Sequence, residues 1–454
     1  LQVQRGISSP NFVDLSARGA VGDGVADDSD NIQQVINDVQ AAGGGTVYCQ
    51  AGTYKLVTGL TLPAGVSLLG AGKHAAIFQA GTVGMVMLTC SGENSVEGMY
   101  FKGLGTVGGG GERAIDTAAA WVNVRACRFS DVTSAIRYSG TSANDGLVTG
   151  CEFRNIVGQV GVSEGYGVHT SGSRTLVADN HFTTIQRHAV YMAATATDCT
   201  AIDNVINGCS HSALHVYATT AQAGCLRNRL IGNTLLACTG SAPINVSDNV
   251  QDTIIMGNII DTQTGSAQPC IVVKNDAPAD ASIRCIRTSV IGNTIKNVIA
   301  SSTGIEVFNT DDVLIEGNFV NGPGGGIGIY CYQSGGGTAL TRRVRIFGNQ
   351  VRNWSQGITL SGASVTEITL GGNSFNSNST DIADTSGSLT PLKGGPVRIQ
   401  GAAVSGASGD VTLGSSTGTT IGAAGGASAL PATPLGYLIA YVGTTQVKIP
   451  YYNP

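Results

Sequence analysis

The sequence predicts an all-β fold: a parallel β-helix of about twelve coils, with an N-terminal capping helix and a small C-terminal β tail. Three observations carry this prediction. Glycine supplies 65 of the 454 residues, about twice the usual share, as a chain full of turns requires. Asn returns behind a short apolar segment at positions 180, 204, 233, 258, 293, 318, 349 and 373, in steps of 24, 29, 25, 35, 25, 31 and 24 residues. Within each repeat, apolar residues fall on alternate positions in three short runs. One example is Val313-Leu-Ile-Glu-Gly-Asn318, then Phe319-Val320, then Gly326-Ile-Gly-Ile329. Period-two runs are strands, and three strands per repeat with a fixed Asn describe one turn of a solenoid.

The N-terminal part, residues 1–60, reads as a cap. Ile32, Val35, Ile36 and Val39 fall on one helical face. Asp28 or Ser29 precedes that face as the expected N-cap, and Gly43-Gly44-Gly45 ends it. A helix here would cover the open sheet edge that a bare solenoid exposes. Residues 61–384 form the coils, twelve of them between 66 and 370. Cys127 and Cys151, 24 apart, hold in earlier coils the place later taken by Asn. Stacked Asn amides would bond coil to coil and satisfy a turn otherwise buried unpaired. Residues 385–454 turn rich in Gly, Ser, Ala and Thr and end in an aromatic β-like segment, 437–452. Such a segment cannot build a core alone, so it is expected to pair with other copies.

Composition excludes several classes. No apolar run approaches the roughly 18–20 residues of a membrane-spanning helix. The formal net charge is −5, and the one tight basic cluster, Arg342, Arg343 and Arg345, reads as a solvated strand face, so nucleic acid is not an expected partner. The eleven cysteines are odd in number and contain no Cys-x-x-Cys. They are expected to be buried free thiols, made in a reducing cytoplasm, with no structural zinc and no cofactor. The chain opens Leu1-Gln2-Val3 without a signal-like segment, from which a missing N-terminal part is expected.

Two stretches resemble known families. Asp14-Leu-Ser-Ala-Arg-Gly-Ala-Val-Gly-Asp-Gly-Val-Ala-Asp-Asp28, the helix, and Gly43-Gly-Gly-Thr-Val-Tyr-Cys-Gln-Ala-Gly-Thr-Tyr54 resemble the opening of the pectate-lyase-like superfamily, whose fold is a right-handed parallel β-helix. The ending Gly436-Tyr-Leu-Ile-Ala-Tyr-Val-Gly-Thr-Thr-Gln-Val-Lys-Ile-Pro-Tyr-Tyr452 looks like the terminus of many bacteriophage tailspikes. Together these resemblances imply a homotrimeric capsular-polysaccharide depolymerase on a virion tail, folded in the host cytoplasm. It would attach through a part absent from this sequence and would not insert into membranes.

The site follows from stacking. Outward residues of equivalent strands form columns with about 4.8 Å per step. Aligning Ile136, Val168, Val190, Leu214, Ile244, Ile271, Ile305, Ile327 and Ile358 as inward residues gives the outward column Arg137, His169, Tyr191, His215, Asn245, Val272, Glu306, Gly328 and Thr359. Two residues further lie Tyr217, Lys274, Phe308 and Tyr330 among others. Five of six histidines fall at 169, 181, 188, 211 and 215. His181 and His211 are placed in turns, and with His74 are taken as structural.

Two chemistries suit such a groove. β-Elimination of a uronic-acid glycoside needs a base, a cation for the carboxylate and an acid for the leaving oxygen. His169, Tyr191 and His215 with Arg187 are the catalytic candidates. Arg137, His188, Tyr217, Asn245, Lys274, Glu306 and Tyr330 would bind substrate. Hydrolysis needs two carboxyls about 5–9.5 Å apart, for which Asp248, Asp276 and Glu306 are the candidates, although acidic residues also serve at such strand ends as ordinary turn formers. Elimination is favoured over hydrolysis. A non-catalytic adhesin that stacks sugars on Tyr217, Phe308, Tyr330 and Tyr332, and a secreted pectin-type enzyme, are the other classes. The turns at 158–165, 262–269 and 334–341 are expected to set which polysaccharide is recognised.

Overall fold

A computed structural model describes residues 11–106, 111–158, 164–219, 224–261, 265, 267–276, 284–334, 340–386, 436–442 and 445–451. Its main body is a parallel β-solenoid of about thirteen turns built from three long sheets. The first sheet has fourteen strands, from Phe12–Asp14 and Gly45–Cys49 to Thr369–Gly371. The second also has fourteen, from Asp23–Asp27 to Ser374–Asn376. The third has thirteen, from Leu60–Leu62 to Thr380–Asp384. From Val66–Gly70 onward the first sheet has the twelve expected strands; two more precede them.

Apolar residues at alternate positions point inward and stack on their counterparts in the next coil. Phe101, Phe129, Phe153 and Phe182 form one such stack, with ring centroids 5.4, 5.0 and 4.3 Å apart. All eleven cysteines are free and buried among these layers. They behave as small apolar fillers; burial pushes the Cys90 thiol, for example, up to about 12.

The Asn residues form the ladder that their spacing predicts. From Asn180 through Asn204, Asn233, Asn258, Asn293, Asn318 and Asn349 to Asn373, each Oδ1 accepts both the backbone N–H and the side-chain amide of the preceding Asn, at 2.9–3.1 Å. Cys127 and Cys151 do occupy the same place: the Cys127 N–H meets Cys151 Sγ at 3.4 Å, and the Cys151 N–H meets Asn180 Oδ1 at 2.9 Å.

A second ladder runs along another turn. Asp145, Arg174, Asp198, Arg227, Asp252, Arg287, Asp312, Arg343 and Glu367 succeed one another coil by coil, all in the left-handed region with φ of 52–59°. Arg174, Arg227, Arg287 and Arg343 each grip the preceding Asp with two nitrogens. Arg342 likewise pairs with Asp311. Two of the three arginines read as a solvated strand face are therefore neutralised by carboxylates.

Helix α1 (Ser29–Ala41) buries Ile32, Val35, Ile36 and Val39 against the first coils. Asp28 is the N-cap residue by position, but its carboxylate does not cap the helix. It accepts the N–H groups of Val21 and Gly22 instead, tying down the preceding loop. Ser29, the other expected cap, donates its hydroxyl to Asp27 and receives Val57 N–H, which fastens the helix to the first coils. At the other end, Gly43 and Gly44 turn the chain with φ of 96° and 94°.

Residues 403–454 form a separate unit. In it Gly436–Val442 and Thr445–Tyr451 pair as an antiparallel hairpin. The Gly/Ser/Ala/Thr-rich stretch lies outside the described residues beyond 386.

Candidate active site

The third sheet presents the predicted outward column. Register pairs Asp116, Arg137, His169, Tyr191, His215, Asn245, Val272, Glu306, Tyr330 and Thr359 in succession. One member differs from expectation. Ile305 pairs with Ile329, not Ile327, so Tyr330 stands beside Glu306 and Gly328 does not. The strand Ile327–Tyr332 starts in register with Thr303 and Gln356, so Ile327 takes the place of Thr303 and the residue level with Ile305 and Ile358 is Ile329. Tyr332 thereby becomes the neighbour of Phe308.

His169, Tyr191 and His215 are brought into one stack, with ring centroids 5.1 and 5.2 Å apart. His188 joins from the side, 4.9 Å from Tyr191 and 4.7 Å from His215. Tyr166, which the sequence reading missed, lies against all three of His169, Tyr191 and His188 at 5.3–5.7 Å. Its signal was legible: Tyr166, His188 and Ser212 each stand two residues before the inward Val168, Val190 and Leu214. His211 also enters, edge-on to His188 at 4.9 Å, where it was taken as merely structural. His181 sits on the strand His181–Ile185 of the second sheet, not in a turn. It pairs with Glu152, which meets Lys73 and His74.

Charge in the cluster is one-sided. Burial, followed by the Arg137 cation, holds His169 at about 4. Burial also drives His188 and His215 well below the usual imidazole value. Tyr191 is pushed up by burial. Near neutral pH the rings are thus uncharged. Arg187 lies over the Tyr166 ring at 5.4 Å, and Arg137 stands one coil before His169. Arg137 Nε is buried with no hydrogen-bond acceptor among the described residues. Asp116 is engaged by Arg113 at 2.7 Å and by Ser139 at 3.1 Å.

His188 and His215 are held by hydrogen bonds at both ring nitrogens. Among the described residues, the hydrogen-bond partner of His169 is Ser171 Oγ, 3.5 Å from Nε2. Tyr217 packs 5.5 Å from His215. Asn245 is buried with Oδ1 unpartnered.

The carboxylate candidates lie further along the sheet, with Glu306 three coils beyond His215, about 14 Å. Asp248 accepts the Asp276 N–H at 2.7 Å, and Asp276 pairs with Lys274 at 2.6 Å. Glu306 accepts the Tyr332 hydroxyl at 3.0 Å. Burial raises both Asp248 and Glu306. Around them Tyr330 stacks on Tyr332 at 4.4 Å, Phe308 meets Tyr332 at 4.8 Å, and Lys274 lies 6.0 Å over Phe308. Parts of the three variable turns lie outside the described residues.

Residues 12–221 match the family described as rhamnogalacturonase A/epimerase, pectate lyase-like. A stretch of 61 residues is 48% identical to mannuronan C5-epimerase AlgE1 of Azotobacter vinelandii, covering 12% of this chain and 4% of that relative. The pre-mature gene product 12 of bacteriophage phi29 superposes with a TM-score of 0.60 at 15% identity, over 83% of this chain and 55% of that one. Tailspike protein 3 of bacteriophage CBA120 gives 0.52 at 16% identity, over 86% and 62%. The chain therefore spans a small fraction of the epimerase and under two thirds of either phage protein. At these identities the likeness to the two phage structures is one of fold, a parallel β-helix.

Proposed function

We propose that the chain depolymerises an acidic bacterial surface polysaccharide, by abstracting the proton next to a uronate carboxylate and eliminating the glycosidic oxygen. The observation that carries this reading is the buried, unpartnered Nε of Arg137 one coil from a neutral His169, with Tyr191 on the coil beyond. The short stretch shared with a mannuronan epimerase supports a uronate polymer as substrate.

Arg137 and Arg187 take the carboxylate and stabilise charge that develops on it as the adjacent C–H bond breaks. His169 accepts that proton through the imidazole left out of the His188–His215 chain. An anion beside it raises its basicity in the complex. Tyr191, held protonated, donates to the departing oxygen as the C–O bond breaks and a C=C bond forms. The half-buried aromatics Tyr217, Tyr330 and Tyr332 support the flanking sugars.

A second reading rests on the buried Asp248 and the half-buried Glu306, two carboxyls pushed upward as a hydrolytic acid requires. A binding-only adhesin would use the aromatics alone. Purified capsule and polyuronates, followed for ultraviolet absorbance and new reducing ends, separate the three. Both signals mean elimination, reducing ends alone mean hydrolysis, and bound but uncut polymer means adhesion.

The proposed setting is a homotrimeric tailspike on a virion tail, its chains held together through residues 385–454. The resemblance of 436–452 to tailspike termini supports it. Sedimentation of the chain with and without that segment tests it.

A further inference from the structure

The outward face of the first sheet carries a feature that the third-sheet groove does not explain. A cleft of about 350 Å³ is lined by Ser67, Glu93, Asn94, Ser95, Trp121 and Asn123. Trp121 is 56% exposed, while the second of the two tryptophans, Trp354, is buried with its Nε1–H on the Val320 carbonyl at 3.1 Å. An indole left this open forgoes the burial that a large aromatic normally gains.

Its position is equally unusual. Glu93 and Trp121 are the first members of the left-handed turn column that continues as the Asp/Arg ladder from Asp145. The other members are charged residues, and the eight from Asp145 to Arg343 form ion pairs along the ladder. A bulky aromatic with φ of 63° is rare there. The backbone leaves it little choice: the Trp121 N–H donates to Asn144 O at 2.9 Å, and its carbonyl accepts the Asn94 N–H at 3.1 Å. The ring is therefore presented by a fixed turn.

Beside it, Ser67, Ser95 and Asn123 follow one another on successive strands. The Ser95 N–H donates to Ser67 Oγ at 3.2 Å. Asn94 is fully committed, bonding Gly92 N–H and the carbonyls of Pro63 and Val66, and serves as a wall. The lining thus offers hydroxyls, an amide and one carboxylate around an aromatic plate, and no cation. Sugar hydroxyls match the polar groups, and the C–H face of a pyranose matches the indole. The carboxylate repels an acidic glycan, in contrast to the arginine-flanked groove.

We propose that this cleft is a second saccharide site, one that takes a neutral pyranose unit and holds glycan on a sheet separate from the reaction groove.

Intrinsic fluorescence reads the site directly, because Trp121 is the exposed indole and Trp354 is shielded. Titration with neutral tetrasaccharides of gluco, manno and galacto configuration is expected to give a saturable spectral change with at least one of them, and none with tetragalacturonate. Asn123→Ala, which keeps the fluorophore, is expected to weaken binding about fivefold or more, as loss of one net hydrogen bond would. Trp121→Ala, followed by saturation-transfer NMR on the same sugar, is expected to lose binding. The proposal is overturned if no neutral sugar in the panel binds, or if tetragalacturonate binds as well as they do. It is also overturned if Trp121→Ala or Asn123→Ala changes the sedimentation coefficient, which would make this face a contact between copies. Reaction at the third-sheet groove is measured separately and does not enter any of these outcomes.

Discussion

His188 Nε2 lies 3.3 Å from His215 Nδ1, and the place of the proton between them is fixed from a distance. His188 Nδ1 is 2.8 Å from the Ser212 carbonyl oxygen, which can only accept. Nδ1 therefore carries hydrogen, Nε2 is bare, and His215 must donate through Nδ1. His215 Nε2 then accepts from Ser247 Oγ at 3.1 Å. The chain has a single sense, from Ser247 to Ser212, and it holds the two rings against which Tyr191 packs.

Breaking that chain at its buried link has two expected effects. His188→Ala leaves the Ser212 carbonyl without its donor and is expected to cost about 1–3 kcal/mol by urea denaturation. It is also expected to lower turnover about a hundredfold, because Tyr191 loses a wall. His188→Asn, which retains a donor, should recover most of the stability. Equal losses in both variants would count against this account.

The depressed value of His169 predicts the acid side of two profiles. In the unfolded chain His169 protonates near its ordinary 6.5; in the fold it resists until about 4. Between those values the unfolded state binds more protons, so stability falls as pH drops from about 6.5 toward about 4. His169→Gln is expected to flatten that part of a melting-temperature profile. In wild type kcat/KM, which follows the free enzyme, should persist below pH 6, since the base there stays unprotonated. An acid limb centred at an ordinary imidazole value would contradict it.

Arg137 and Tyr191 should separate in steady-state kinetics. Tyr191→Phe removes a proton donor and is expected to lower kcat about 10²–10⁴-fold with little change in KM. Arg137→Ala removes a carboxylate partner and should raise KM as well as lower kcat. Initial rates of ultraviolet absorbance on a polyuronate measure both.

Tyr330 stands five coils from Tyr191, about 24 Å along the sheet. Only an oligomer long enough to span that distance along the sheet reaches both. The ratio of kcat/KM for hexamer over trimer is expected to be large in wild type and to fall in Tyr330→Ala and Tyr332→Ala. A ratio unchanged by both substitutions would remove these aromatics from substrate binding.

The Asn ladder predicts a stability loss out of proportion to one side chain. Asn293 accepts from the Asn258 N–H and amide and donates to the Ile255 carbonyl and to Asn318 Oδ1. Asn293→Ala is expected to cost about 3 kcal/mol or more, since several buried groups lose partners at once. Asn373→Ala, at the partly exposed end of the ladder, should cost less. Denaturation midpoints of the two variants check the order.

What the sequence revealed follows from what is periodic. The Asn spacing, the inward residues and the substitution of Cys127 and Cys151 for Asn were all legible, because each repeats at a fixed place in the coil. The alignment slipped by one alternation at Ile327, because this strand has an apolar residue both at its first position, level with Thr303 and Gln356, and at the inward position Ile329. Tyr166 and His211 were missed for a related reason. Their rings reach the cluster from the beginning of a strand and from a turn, outside the alternation used to find the column. The Asp/Arg ladder was hidden because its partners lie 29–35 residues apart, and nothing local links an aspartate to an arginine one coil later.

The Asn ladder also gives the rod a unit of change. Every interior Asn accepts from the Asn of the coil before it and donates to the Asn of the coil after it, so removing or adding one whole coil rejoins donor to acceptor with no bond left open. A fraction of a coil cannot be removed on those terms, because the amide would meet a different part of the turn. Insertions of any length are absorbed only between ladders, in the turns that border the third sheet. Lengthening the groove and reshaping its walls are therefore independent operations, one counted in whole coils and the other in single residues.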